Sequence, residues 1–329
     1  MAVLKISVAM CTYNGACFIR EQLESILGQT RVPDEIVICD DGSADDTLGV
    51  ARETLAGFSG RVQLVANPEN LGFAKNFEKA ISLCGGDIIF LSDQDDVWQR
   101  DKLEKMCAIF AERDDVILAF HDSALVDSQL RPLQPSFWAC MLPPFHPEEF
   151  ECGDYRHLFM VNMVQGSACA FRRALFAAAA PLPPEAYHDE WLALTAIGHG
   201  QMLPIRETLM QYRQGNNVIG GMHPSLLGRI YGWLTRFHRK AEVRMGDLRR
   251  REAVLQAAQE RFASGWTEEE REALDFYLHF IRERFALFEH CQLSHLHPQA
   301  YRRAYRERGR YFLLKDLCIA LCRIGRATR

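Results

Sequence analysis

Asp87-Ile-Ile-Phe-Leu91, followed at once by Ser92-Asp-Gln-Asp-Asp96, decides how the rest of the chain is read. An apolar run ended by a polar cluster is the pattern of a buried strand that stops at a loop. The pattern recurs upstream. Lys5-Ile-Ser-Val-Ala-Met10 stops at Thr12-Tyr-Asn-Gly15, Glu35-Ile-Val-Ile-Cys39 at Asp40-Asp-Gly-Ser43, and Arg61-Val-Gln-Leu-Val65 at Asn67-Pro68. Helical signals fill the gaps. Ile19, Leu23, Ile26 and Leu27 share one face before Pro33, and Phe73–Leu83 supplies another helix. Asp45 and Asp46 stand where acids favour the positive end of a helix. The order βαβαβαβ predicts a parallel sheet covered by helices. Its polar clusters fall at the strand C-terminal edge, where open α/β sheets bind ligands. No G-x-G-x-x-G follows the first strand and no G-x-x-x-x-G-K-[ST] occurs, which argues against a dinucleotide fold and a P-loop enzyme.

Asp93, Asp95 and Asp96 place three acids within four residues. Carboxylates so close repel one another, and a fold tolerates them best with a cation among them. An all-oxygen set suits Mg2+ or Mn2+, and Mg2+ uses one or two carboxylates plus substrate phosphates. Such an ion clamps a diphosphate and neutralises its charge as it departs. A solvated turn or a helix N-cap would carry the same residues. Asp40-Asp-Gly-Ser43 at a neighbouring strand end favours the cation, because two acidic loops on one sheet edge need a common cause.

Composition sets the outer limits. The 329 residues are 48% hydrophobic and 25% charged, which excludes a wholly disordered chain and leaves room for two domains. The formal net charge of −5 joins unlike parts. Residues 225–329 hold 21 Lys+Arg against 13 Asp+Glu, a charge of +8, which leaves −13 on residues 1–224. The texture changes at the same place. Residues 101–224 mix a strand at Val116–Phe120 and a long Pro- and aromatic-rich loop from Arg131 to Pro147. Gln165–Phe171 follows as a strand entered from a tight turn, and Ala174–Ala180 as a short helix stopped by Pro181. Beyond Pro224 the signals are helical. Thr267-Glu-Glu-Glu270 has capping-box spacing, and Leu274, Leu278, Ile281, Phe285 and Phe288 recur at helical intervals after it. Leu248, Leu255 and Phe262 lie seven apart. The expected division is a body over residues 1–224 and a basic helical region over 225–329.

The 11 cysteines are odd in number and form no C-x-x-C pair, so they read as small buried hydrophobes rather than zinc ligands or a disulfide framework. Met1–Met10 lacks a secretory pattern, and no run reaches the roughly 18 apolar residues that span a bilayer. The expected location is cytoplasmic.

With these residues assembled, the chain resembles the family 2 glycosyltransferases. That resemblance implies an α/β fold of the GT-A type, a mixed and mostly parallel sheet flanked by helices, here with a C-terminal helical appendage. Val8-Ala-Met-Cys-Thr-Tyr-Asn14 and Asp40-Asp-Gly-Ser43 resemble the nucleotide-contacting ends of the family's first two strands. Asn67, Asn70-Leu-Gly72 and Asn76 resemble the loop after its third strand, and Asp87–Trp98 its D-x-D region. Gly166-Ser167 and His188-Asp-Glu-Trp191 resemble its acceptor-side motifs, so the likeness covers about residues 3–222.

The resemblance also implies roles. Thr12, Asn14, Asp40 and Asp41 would bind the nucleotide, with Asp40 facing the base, and Lys75 would contact nucleotide or phosphates. Asp95 would be the main ligand of Mn2+ or Mg2+, joined by Asp93, which also faces the ribose or sugar. Asp96 would orient the sugar or support the metal, and Asp189 would be the catalytic base. The implied activity is inverting transfer from a nucleotide-sugar to a saccharide or lipid-linked saccharide in cell-surface polysaccharide synthesis. The wording Ser92-Asp-Gln-Asp-Asp-Val-Trp98 favours dTDP-rhamnose as donor, with a UDP-sugar as the alternative. One departure stands out. Relatives often read Tyr-Arg-Gln-His-Gly-Asn-Asn where this chain has Tyr212-Arg-Gln-Gly-Asn-Asn217 without the histidine, and His223 lies a few residues on. Arg213, beside this loop, reads either as a cation that closes over the diphosphate or as a solvated arginine.

The tail is open to two readings. Arg302, Arg303, Arg306, Arg308 and Arg310 precede the apolar Tyr311–Ile324. Residues 301–329 either touch the inner face of the plasma membrane or dock on the acidic body. Clustered arginines without an interleaved aromatic platform argue against nucleic acid. A non-catalytic nucleotide-sugar or glycan-binding module is the main rival, and it would be expected to lose the D-x-D or the base. A sugar nucleotidyltransferase would need a Gly-rich basic loop where Thr12-Tyr-Asn-Gly15 stands.

Overall fold

Four apolar runs become four neighbouring parallel strands. In the computed structural model, which describes residues 4–141, 145–214, 237–290, 294, 297–305, 313–314 and 316–317, they are β1 (Ile6–Thr12), β2 (Glu35–Asp40), β3 (Arg61–Ala66) and β4 (Ile88–Ser92). Their spatial order is β3-β2-β1-β4. Every residue of β1, β2 and β4 is buried, which is why each reads as an unbroken apolar run rather than an alternation. Three helices connect these strands: α1 (Ile19–Leu27), α2 (Thr47–Thr54) and α3 (Phe73–Ser82). Ile19, Leu23 and Ile26 of α1 turn inward, as their spacing predicts.

The second half of the sheet is mixed. It comprises β5 (Val97–Trp98), β6 (Val116–Val126), β7 (Pro132–Gln134), β8 (Cys169–Arg172) and β9 (Gln201–Arg213). The order continues β4-β8-β6-β9-β5, with β7 beside β6. β8 runs antiparallel to both β4 and β6, and β9 runs parallel to β6. Around these strands lie α4 (Lys102–Glu112), α5 (Pro147–Glu151), α6 (Arg173–Ala179) and α7 (His188–Ala196). The stretch expected to be one long loop from Arg131 is partly ordered by Asp122. Its carboxylate accepts from Ser123 N (2.8 Å), Trp138 N (3.0 Å) and the Ser136 hydroxyl, which draws the chain after β7 back onto β6.

Strand register sets the functional edge. Thr12 lies opposite Asp40, and Met10 opposite Ser92. The loops that leave β1, β2 and β4 therefore start from adjacent points of one sheet edge.

A separate compact unit contains residues 156–161 and the described residues from 237 onward. Its helices are α8 (Phe237–Phe262), α9 (Glu268–His290) and α10 (Pro298–Tyr305). The capping box forms as its spacing predicts: Thr267 N donates to Glu270 Oε2 (2.7 Å), and Glu270 N to Thr267 Oγ1 (3.2 Å). Leu248, Leu255 and Phe262 of α8 and Leu274, Leu278, Ile281 and Phe288 of α9 are buried.

The same unit buries one ionic knot. Arg284 Nε donates to Asp316 Oδ2 at 2.7 Å, Tyr301 Oη donates to the same oxygen at 2.7 Å, and Arg244 stands 3.4 Å from Oδ1. Burial pushes the Asp316 carboxyl up, but Arg284 and Arg244 outweigh it and hold it below the usual carboxylate range. Asp316→Asn would leave Arg284 buried without its counter-charge. The expected loss is about 3–5 kcal/mol of unfolding free energy, read by denaturant titration. A lowered carboxyl contributes stability above its unfolded pKa and loses it as pH falls, so the gap between wild type and variant should close in acid. A gap that persists unchanged down to pH 2 would show that the ion pair is not its source.

Candidate active site

The first two strand ends lace each other together. Thr12 Oγ1 donates to Asp40 Oδ1 (2.7 Å), and Ser43 donates to the same carboxylate through both its hydroxyl and its N–H. Asn14, in a left-handed conformation (φ 50°), donates its N–H to Ser43 Oγ and accepts from Ala44 N, both at 2.8 Å. Thr12, Asn14 and Asp40 thus form one preorganised cradle, built from side chains that hold each other.

Asp41 faces the other way. Its carboxylate accepts from Asn67 Nδ2 (2.8 Å), Leu71 N (2.8 Å) and Gly72 N (2.9 Å). That shapes the loop after β3 and starts α3 at Gly72, whose φ of 79° suits glycine. Lys75 on α3 is committed as well, to Glu78 (2.6 Å) and the Leu182 carbonyl (2.7 Å).

The acid loop is clamped to the cradle by Gln94. Its amide accepts from Tyr13 N (2.9 Å) and donates to Tyr13 O (3.0 Å). The approach requires glycine at position 15, because a Cβ there would sit 2.0 Å from Gln94 Oε1. Asp96 is fully buried; Oδ1 accepts from Arg213 N (3.2 Å), while Oδ2 has no hydrogen-bond partner. Burial, then its neighbours Asp93 and Asp95, pushes the Asp96 carboxyl well up. Burial followed by Asp95 lifts Asp93 to about 7, and burial also raises Asp95. Among the described residues, no three His, Cys, Asp or Glu side chains are arranged to enclose an ion by themselves. The unpartnered oxygen of Asp96 and the strained all-carboxylate set fit instead a hard divalent ion whose shell is completed by substrate oxygens.

Asp189 meets this loop from α7. Its Oδ2 accepts from Gly166 N (3.1 Å) and its Oδ1 from Glu190 N (2.7 Å). Burial lifts its carboxyl to about 7. The Tyr212 phenol is pushed up by burial and then by the charges of Asp96, Asp93, Asp95 and Asp189. The neighbouring His188 stacks on Phe77 at 3.9 Å, and burial pulls its pKa down to about 3, which keeps it neutral. The half-exposed rings of Phe73 and Tyr187 pair at 5.2 Å beside it.

Arg213 is not a solvated arginine. It is 3% exposed at the end of β9. Its guanidinium donates to the Asp95 carbonyl (2.7 Å), the Ser128 carbonyl and Glu21, and lies over the Phe18 ring. It braces the acid loop and is buried, which corrects the solvated-surface expectation. Lys102, which the sequence alone does not single out, is also here and fully buried. Gly215–Asn217, His223, Arg306, Arg308, Arg310 and most of Tyr311–Ile324 lie outside the described residues. No helix among the described residues is long and apolar enough to cross a membrane.

Comparisons with known proteins define the class. The family model described as Glycosyl transferase family 2 matches residues 7–177, more than half the chain, and the chain belongs to that family. A dTDP-rhamnosyl transferase of Shigella flexneri is 39% identical over 107 residues, which span 31% of this chain and 37% of that relative. In structure, residues 1–349 of S. aureus TarS in complex with UDP-GlcNAc are similar, with a TM-score of 0.57 at 17% identity over 96% of this chain and 89% of that one. A mannosyltransferase of Pyrobaculum calidifontis in complex with GDP-Man and Mn2+ gives a TM-score of 0.52 at 17% identity, over 98% and 87% of the two chains. At such identities the likeness shows the fold alone, and that fold is of the GT-A type.

Proposed function

We propose that this chain transfers a sugar from a nucleotide-sugar to an acceptor hydroxyl, with inversion, in a single displacement. The observation that carries the reading is the meeting of Asp189, a carboxylate lifted to about 7, with the acid loop Asp93–Asp96 at one sheet edge. A hydroxyl is a poor nucleophile at neutral pH, and a base with a pKa near the working pH is matched to take its proton. The backbone N–H groups of Gly166 and Glu190 aim the Asp189 carboxylate. Thr12, Asn14 and Asp40 frame the nucleotide, Asp41 shapes the loop around it, and Lys75 stands at that loop's helix. Asp95 and Asp93 would hold Mn2+ or Mg2+, which when bound supplies positive charge for the departing diphosphate, and Asp96 supports that shell.

The Shigella relative supports dTDP-rhamnose as the donor. The acceptor class, a saccharide or lipid-linked saccharide, is supported by the half-exposed Phe73 and Tyr187 rings beside His188, the residue before Asp189. Catalysis is assigned to residues 1–224. Residues 225–329, basic overall, are proposed to keep a cytoplasmic enzyme near the membrane that carries its acceptor.

A thermal-shift screen of nucleotide-sugars with Mn2+ tests the donor. A ligand at a hundred times its Kd stabilises by about 2.7 kcal/mol, so dTDP-rhamnose should raise Tm by several degrees more than UDP-GlcNAc or GDP-mannose. A larger shift with one of those two would reassign the donor. No shift with any nucleotide-sugar would remove the reading.

A further inference from the structure

A short turn carries one of the two donors that aim Asp189. Gly166, Ser167 and Ala168 form a tight helical turn ahead of β8, closed by Ala168 N on the Gln165 carbonyl (3.1 Å), and all three are buried. Such a turn leaves N–H groups unmade at its start and carbonyls unmade at its end, and burial demands a partner for each. Gly166 N, at the start, donates to Asp189 Oδ2 (3.1 Å). The Ser167 carbonyl accepts from Lys102 Nζ (2.7 Å). The turn also lies directly against the start of α7. A Cβ on Gly166 would stand 2.7 Å from His188 Nε2 and 3.5 Å from Asp189 Cβ, so there is no slack on that side. A further contact holds the entry to the turn, where Ser123 Oγ on β6 donates to Gln165 Oε1 (2.9 Å).

Lysine is costly at this post. Lys102 opens α4, where the positive helix end disfavours a cation, and it is completely buried. Its ammonium lies 3.8 Å from the centre of the Trp98 ring, a cation–π contact, and its hydrogen bond goes to the turn. An apolar side chain would fill the same space at less cost, but it would leave the Ser167 carbonyl without this donor. We infer that Lys102 is a positioning residue for the base: it anchors the Gly166–Ala168 turn, with Ser123 as a second tether, and so fixes the N–H that aims the Asp189 carboxylate. The inference rests on the reading of Asp189 as the base. Lys102 acts through the turn and not on substrate. A base works only within hydrogen-bond reach of the proton it takes, and a displacement of about 1 Å costs on the order of a hundredfold in rate.

Lys102→Met keeps the stem and removes the donor. In the full-length protein kcat should fall by about tenfold to a hundredfold, while the affinity for nucleoside diphosphate stays close to that of wild type. The pH profile reports the cause. A hydrogen bond to the ionised form lowers a carboxyl's pKa, so a loosened Gly166 N–H should move the rising limb of kcat/KM upward from about pH 7. A cycle with Asp189→Asn locates the effect. In that background Lys102→Met should hardly change the residual rate, because a residue that acts through the base has nothing left to position. Ser123→Ala should repeat the pattern with a smaller loss, and it carries the test if Lys102→Met does not fold. Wild-type kcat with an unmoved limb in Lys102→Met overturns the inference, and the same result in Ser123→Ala does so where that variant stands in. A loss that persists in the Asp189→Asn background, or that comes with an equal loss of nucleotide affinity, also overturns it, because it marks a general role in the fold. Near-normal turnover by Asp189→Asn itself would remove the base reading and this inference together. An inactive Asp189→Asn beside an unaffected Lys102→Met sinks the role of Lys102 alone.

Discussion

Asp189→Asn should lower sugar transfer by about a hundredfold to ten-thousandfold, the range a positioned general base contributes, and leave donor binding largely intact. The substitution is isosteric and removes the charge and the basic lone pair. The amide keeps one oxygen, so it accepts from the Glu190 N–H or, after a flip, from the Gly166 N–H, and the other backbone donor loses its acceptor. That local loss is offset by relief of the buried charge. A carboxyl raised to about 7 in the folded state, against about 3.9 unfolded, contributes stability below the lower value and loses it as pH rises through the higher one. At pH 8 wild type bears that full penalty and the amide does not, so the variant should melt no lower there. Activity has the opposite pH sense. The base must be ionised, so wild-type kcat/KM should climb through about pH 7 and level off above it, and the residual rate of Asp189→Asn should lack that limb. Release of nucleoside diphosphate in the presence of acceptor is the rate to follow, with donor binding tracked by thermal shift. Near-normal turnover in the variant would remove Asp189 from the mechanism.

The cradle and the acid loop were legible because chemistry and periodicity coincide there. Thr12, Asp40 and Ser92 each end an apolar run, and parallel pairing brings such ends together whatever the loop lengths. β9 was hidden for the opposite reason. Arg206 and Glu207 stand exposed in mid-strand, and its inward residues do not alternate regularly, so no period of two emerges. Arg213 then lost its context, since only the pairing of β9 with β6 shows that its N–H reaches Asp96 and its guanidinium reaches the Asp95 carbonyl. Asp40 and Asp41 look alike in sequence, but as consecutive residues at a strand end they project to opposite sides. One accepts from the β1 end and the other from the loop after β3. Lys102 carries no local sign at all. Its partner Ser167 lies 65 residues on, and a lysine at the start of a helix ordinarily faces water.

Asp95→Ala should abolish the dependence of donor binding on Mn2+. The affinity for nucleoside diphosphate with Mn2+ should fall by on the order of a hundredfold, ~2.7 kcal/mol, while affinity measured in a chelator should hardly move. The backbone around the site is held by contacts that the truncation spares. The Asp95 carbonyl stays on Arg213 Nε, Asp96 stays on Arg213 N, and the Gln94 amide stays on Tyr13. The loss would therefore report a ligand rather than a collapsed loop. Stability supplies the control. Asp95 is one of three carboxyls raised by burial, and taking it away relieves Asp93 and Asp96 of a repelling neighbour. Metal-free Asp95→Ala should melt at or above wild type and gain little when Mn2+ is added. A variant that keeps the wild-type gain in Tm and the wild-type ratio of affinities with and without Mn2+ would show that the ion is held elsewhere.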